Sequence, residues 1–212
     1  MRTDAFKVRI TFRKSAAVRY VSHLDMMRAF KRALRRSGLP IVYTEGFNVH
    51  PVMIFTPPLS VGYMSECELL DIGLTVEVSL KEVLLRLSAS LPDGFMAVKA
   101  AVPERPISDI AFSTYKIESP ALSHKGEEIK ALLTAKAVPV AKNTKGGDLT
   151  VDAAPYLKDA VYEDGEVGRL TLTLPSGNDL TINPRLVASL ITGEAAADYT
   201  RVAIYDKKRR PL

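Results

Sequence analysis

The chain has 212 residues, 47% of them hydrophobic and 25% charged, with a net charge of +5 and one cysteine. That length suits one large or two small globular domains, and no run of 18 apolar residues is present that could cross a membrane as a helix. The lone Cys67 excludes a disulfide within the chain, all but excludes a cysteine-rich zinc site, and excludes an iron–sulfur cluster held by this chain alone.

Residues 1–4 lead directly into alternating residues with no secretory apolar segment, so a cytoplasmic protein is expected. From Lys7 to Lys14, Val8, Ile10 and Phe12 point one way and Lys7, Arg9, Thr11 and Arg13 the other. This predicts a half-buried strand whose open face is basic. Ser22 and Asp25 form a capping box that opens a helix ending near Ser37, ahead of Gly38 and Pro40. At 100° per residue, Met26, Met27, Ala29, Phe30, Ala33 and Leu34 share one arc, and Arg28, Lys31, Arg32, Arg35 and Arg36 share the opposite one. His23 falls on the apolar side.

Leu39 to Tyr43 reads as a strand, and Gly46-Phe47-Asn48-Val49-His50-Pro51 as a loop. Glu66 to Leu74 reads as a strand. Ser79 and Glu82 cap a second helix with Leu80, Val83, Leu84, Leu87 and Leu91 at helical spacing. Phe95 to Val102 is another strand, and residues 103–106 form a stiff linker. The order strand, helix, strand, strand, helix, strand predicts a ferredoxin-like split βαβ lobe, an antiparallel sheet with two helices on one face.

The second half repeats this order more loosely. Ile110 to Glu118 is strand-like, Glu127 to Ala135 helical, and Glu166 to Leu174 a strand. Asn183 and Pro184 open a helix as N-cap and first helical residue, and Tyr199 to Tyr205 closes the order. Residues 137–165 have no determined layout beyond a strand within Asp148 to Tyr156. The fold class is therefore α+β, with two ferredoxin-like (βαββαβ) lobes at 1–103 and 107–212. The C-terminal Lys207 to Arg210 run reads as a disordered basic tail.

Positive charge is unevenly placed. Residues 1–40 carry eleven Lys/Arg against two Asp, while the stretch 41–205 is net acidic. Several cations on one surface, with Arg outnumbering Lys, suit bidentate phosphate contacts. Arg19, Arg28, Lys31, Arg32, Arg35 and Arg36 are thus the expected phosphate-binding set. A solvated helix face, or a face for an acidic partner protein, is the alternative. Gly46, Phe47, Asn48 and His50 form an expected pocket loop beside them, although Phe47 is more simply a core plug than a base-stacking side chain. His23, His50, Asp25 and Glu66 are the candidates for acid/base or metal chemistry. The residues leave open whether the two histidines are core or pocket.

Taken together, residues 19–25, Arg28, Ala33, Arg35-Arg36, residues 38–40 and Gly46 to Pro51 resemble the radical-SAM-linked protein family, a bacterial domain found beside or fused to B12-binding-type radical SAM proteins. Residues 58–62 and 65–71 extend the resemblance, which is strong over about residues 6–100. The family usually has proline where this chain has Val49. The resemblance implies a radical SAM partner that would hold the S-adenosylmethionine and iron–sulfur cluster, with no cofactor or metal on this chain. It also hints at an RNA substrate such as tRNA or rRNA. The expectation is an accessory protein, not an enzyme on its own, that binds RNA or another polyanion and presents it to that partner. Two alternatives stand: a stand-alone enzyme acting through His23 and His50 on a phosphorylated or nucleotide substrate, and a protein-only adaptor.

Overall fold

The computed structural model describes residues 6–144, 147–193 and 195–212, with the side chains of 142–148 left aside. Residues 1–4, read above for a secretory segment, lie outside the described residues. The chain divides into two compact units, the first running to Asp109 and the second from Ile110 to Pro211.

In the first unit, β1 (Phe6–Lys14) pairs antiparallel with both β3 (Met64–Leu74) and β4 (Phe95–Ala101), and β2 (Met53–Phe55) pairs antiparallel with β3. The sheet order β4-β1-β3-β2 is the one a split βαβ pattern generates. α1 (His23–Arg36) and α2 (Leu80–Ser88) supply the crossovers. Both helices start as expected: Ser22 Oγ accepts from the Asp25 N–H at 3.1 Å, and Ser79 Oγ from that of Glu82 at 3.2 Å. Gly38, at φ +64°, turns the chain out of α1 in a conformation that a side chain resists.

The core follows the alternation of β1. Val8, Ile10 and Phe12 are buried against Phe30, Ala33 and Leu34 of α1 and Val83 and Leu87 of α2. Four rings cluster at its centre. Phe12 lies 4.5 Å from Phe30, and Phe30 meets Phe55 and Phe95 edge-on at 5.5 Å each.

The opposite face of β1 differs from expectation. Lys7 and Arg13 are exposed, but Arg9 is only 6% exposed. Its guanidinium makes two 2.7 Å bonds to the Asp71 carboxylate and a third to the Arg105 carbonyl. Asp71 sits directly across from Arg9 in the β1–β3 register, so the charge is neutralised within the sheet. Leu39 to Tyr43 also departs from the expected strand. Among the described residues it forms isolated bridges, Ile41 to Leu74 and Tyr43 to Pro51, in place of a continuous ladder, with the Val42 N–H on the Gly73 carbonyl and the Val52 N–H on the Val42 carbonyl. Pro51 has no N–H to continue a ladder, and pairing resumes at Met53.

The second unit has the same plan. β5 (Ile110–Ser119) lies between β9 (Gly168–Pro175) and β10 (Asp198–Asp206), and β8 (Val161–Glu163) pairs with β9, all antiparallel. The order β10-β5-β9-β8 matches β4-β1-β3-β2 position for position. α3 (Gly126–Thr134) and α4 (Pro184–Thr192) take the crossovers, and Asn183 caps α4 by accepting the Arg185 N–H at 2.9 Å. Where the sequence left the layout undetermined, β6 (Pro139–Thr144) and β7 (Gly147–Asp152) form a separate hairpin. Pro155 lies in the short 3-10 turn that follows, so the strand stops earlier than Tyr156.

Lys207 to Arg210 is ordered, contrary to expectation. The Asp206 carboxylate accepts the Lys208 and Arg210 N–H groups and pairs with the Arg210 guanidinium. Lys207 reaches Asp179 at 2.8 Å, and Arg209 stacks 3.9 Å above the Phe112 ring. A carboxylate at the end of β10 makes this segment a capped turn instead of a tail.

Candidate nucleic-acid interface

The charged face of α1 is open. Arg28, Arg32, Arg35 and Arg36 are exposed and Lys31 is half-buried. Arg28 pairs with Asp25 one turn earlier at 2.8 Å, and Arg36 donates to the Ser90 carbonyl at 2.6 Å. Lys31, Arg32 and Arg35 make no hydrogen bond or ion pair with the described residues. At 100° per residue Arg28, Arg32 and Arg35 fall within one narrow arc, spread along roughly 10 Å of helix axis. Packing leaves them exposed because Ala29, Phe30, Ala33 and Leu34 on the other side occupy the core.

Arg19 sits just before the helix. Its guanidinium lies 4.9 Å from the centre of the Tyr20 ring and its Nη2 donates to the Tyr20 hydroxyl at 2.9 Å. Its backbone carbonyl accepts from Lys14 Nζ and from the Gly62 N–H, both at 2.9 Å. Lys14 itself is only 3% exposed. Burial pushes its ammonium pKa down, and the charge of the neighbouring Glu68 works against that shift. Glu68, also buried, accepts the Thr56 hydroxyl in a short hydrogen bond. Neither this pair nor Arg9–Asp71 was legible from residue spacing. Both join residues far apart in the chain.

The four acid/base candidates take separate roles. His23 is half-buried on the apolar side of α1, with its ring edge-on to Phe55 at 5.9 Å. Asp25 is held below the ordinary carboxylate range, first by the Ser22 hydroxyl and then by Arg28, so it is a cap and an ion-pair partner. His50 donates its Nδ1–H to the Pro51 carbonyl at 3.2 Å. Its backbone N–H donates to Thr44 Oγ1 at 3.1 Å. Glu66 is exposed on β3.

His23 thus sits beside Phe55, which pairs with Leu70, whereas His50 lies at the base of the Gly46 to Pro51 loop, next to the Tyr43–Pro51 bridge. Among the described residues no group of three His, Cys, Asp or Glu side chains is placed to hold a metal ion.

The loop residues are displayed outward. Gly46 has φ +98°, and Thr44 bonds the loop closed through the His50 N–H and carbonyl. Phe47 at the tip is fully exposed, at 114% of its reference area, so it is not a core plug. Tyr20, which residue reasoning passed over, is 70% exposed. Its position next to Arg19 was the one signal available. No helix among the described residues is long and apolar enough to cross a membrane.

Residues 7–184 match the model of a family described as an uncharacterised protein conserved in bacteria, DUF2344. The chain belongs to this family. The matched stretch of this DUF2344 member runs from β1 to the start of α4 and so takes in parts of both units, beyond the N-terminal region in which residue motifs alone carried a resemblance. No curated protein matches the chain. Among solved structures, it is similar to an unknown protein from Galdieria sulphuraria, at 13% identity over 93% of this chain and 97% of that one. The TM-score is 0.28, so this likeness carries no argument about fold.

Proposed function

We propose that the first unit binds RNA through phosphate contacts to the open face of α1 and presents it to a partner enzyme. The observation that carries this reading is the contrast between two sets of cations. Arg9 and Lys14 are satisfied inside the unit, whereas the exposed Arg32 and Arg35 and the half-buried Lys31 share one arc without a bond to the described residues. A solvated helix face normally mixes signs at i,i+4 spacing. Here Asp25 is the one acid in α1, and it is engaged by Arg28. The partner is the radical SAM protein that the sequence resemblance implies, and it supplies the chemistry, in the cytoplasm. S-adenosylmethionine and an iron–sulfur cluster belong to that partner on this reading.

The test is fluorescence anisotropy with a short oligoribonucleotide at 50 and 200 mM salt. Four phosphate contacts predict about a 50-fold loss of affinity over that range, from a slope of roughly −0.7 per contact for single strands. Replacing Arg28, Arg32 and Arg35 together with alanine should cut the salt effect to about threefold and weaken binding to all sequences alike. Equal affinity at the two salt concentrations refutes the phosphate contacts. Co-purification with the partner, unchanged by these substitutions and free of nucleic acid, would make the protein an adaptor instead.

A further inference from the structure

We infer that the ligand of the first unit is single-stranded RNA, whose unpaired bases stack on two exposed rings, Tyr20 and Phe47, at opposite ends of α1. The inference rests on the RNA-binding reading above and narrows it to a substrate class.

The placement of the rings follows from register. Tyr20 precedes α1 by three residues, at the end of the unit where β1 finishes at Lys14 opposite Ser65. α1 then returns to the other end. Beyond its last turn, Ile41 pairs with Leu74, and Leu74 is level with Phe6 at the start of β1. The loop that carries Phe47 leaves the edge of β3 near this same end, where the Val42 N–H donates to the Gly73 carbonyl and Tyr43 and Pro51 close its base. Tyr20 and the base of the Phe47 loop thus lie toward opposite ends of α1, whose fourteen residues span roughly 21 Å. At a stacked rise of about 3.4 Å per nucleotide on one strand, that span covers roughly six nucleotides.

Between these two ends runs the cationic arc of α1. Leu24 falls on the arc of Arg28 one turn earlier and is exposed, adding apolar surface at the Tyr20 end of the arc. Arg19 already lies over the Tyr20 ring, and an arginine–aromatic pair of this kind stacks well on a base. A single exposed aromatic residue needs no explanation. Phe47, however, is held on a loop closed by three bonds through Thr44 and turned by Gly46, so a fixed backbone presents the ring outward. A positively charged track with aromatic platforms is the physical requirement of single-strand binding. Duplex RNA hides its base faces and is read by shape and backbone. An acidic protein would use the arginines but have no need of two separated rings.

The test compares a ten-nucleotide single strand with a ten-base-pair duplex of the same sequence, by anisotropy at 100 mM salt, with each variant checked by circular dichroism. Tyr20→Ala and Phe47→Ala should each weaken single-strand binding about 5- to 150-fold, the range seen when one stacked base is lost. The salt slope and the duplex affinity should stay unchanged. Phe47→Trp and Tyr20→Phe should retain wild-type binding. Preference for the duplex, or wild-type single-strand affinity in both alanine variants while the triple arginine variant fails, overturns the stacking inference and leaves phosphate binding intact. Binding of an acidic peptide but of neither oligonucleotide overturns both.

Discussion

The two units share a strand order but not a charge pattern, and the difference separates what the fold needs from what it does not. α1 and α3 occupy the same topological position, after the first strand of each unit. α1 has fourteen residues and five cations on its outer face. α3 has nine, with Glu127 and Glu128 in its first turn, where they favour the helix dipole. A basic outer face is therefore no requirement of the plan.

The connections that follow differ too. The first unit has the loop tipped by Phe47, the second the β6–β7 hairpin. Charge inside the sheets is also handled differently. The first unit buries Arg9 with Asp71. The second pairs its cross-strand ions in a partly exposed chain of Glu118, Arg169, Glu163 and Lys116 across β5, β9 and β8, while Arg201 and Asp206 are buried.

The sharpest way to break this contrast is to remove one buried partner. Asp71→Ala leaves the Arg9 guanidinium without its carboxylate and should destabilise the protein by about 3–5 kcal/mol. Glu118→Ala, in the exposed chain, should cost no more than about 1 kcal/mol. Urea unfolding of the two variants reads the difference, and equal losses would dissolve the distinction.

Capping offers a middle-sized comparison. Ser22→Ala and Asn183→Ala each remove a side chain that accepts a first-turn N–H, and each should lose about 1 kcal/mol. The triple replacement of Arg28, Arg32 and Arg35 should shift stability by only about 0.5 kcal/mol per site or less. Its unfolding midpoint should stay near wild type even as RNA affinity falls. A large destabilisation would mean that the arginines are structural after all.

The smallest effect is a pH dependence in the second unit. Asp164 accepts the His124 and Gly165 N–H groups and the Tyr162 hydroxyl, tying the turn before α3 to the β8–β9 connection. These bonds, that of the His124 backbone foremost, lower its pKa from 3.8 to about 2. A depressed carboxylate pKa stabilises the fold above the unfolded value, and the contribution is lost as pH falls through the folded one. The stability difference between wild type and Asp164→Asn should be complete above about pH 5 and vanish on acidification toward pH 2. A difference that does not change across that window would remove the carboxylate from the account.

Local signals were read well where one residue's neighbours in sequence are its neighbours in space. Alternation placed Val8, Ile10 and Phe12 in the core, and the caps at Ser22, Ser79 and Asn183 started three helices where expected. The misreadings share a cause. Arg9 looked like an exposed cation because alternation reports which face a side chain takes, not what covers that face. Phe47 looked like a core plug because an aromatic residue in a short loop usually finds apolar cover.

Composition and short-range pattern alone settled the α+β class, the order of the main elements, the amphipathic split of α1 and the concentration of cations in the first forty residues. Burial of individual charges, the opposite-end placement of Tyr20 and Phe47, and the matching strand orders of the two units were decided only by tertiary structure. Ion pairs such as Arg9 with Asp71, 62 positions apart, depend on which strands become neighbours. Strand pairing over such distances is set by the burial of whole faces, a quantity that no local window of sequence contains.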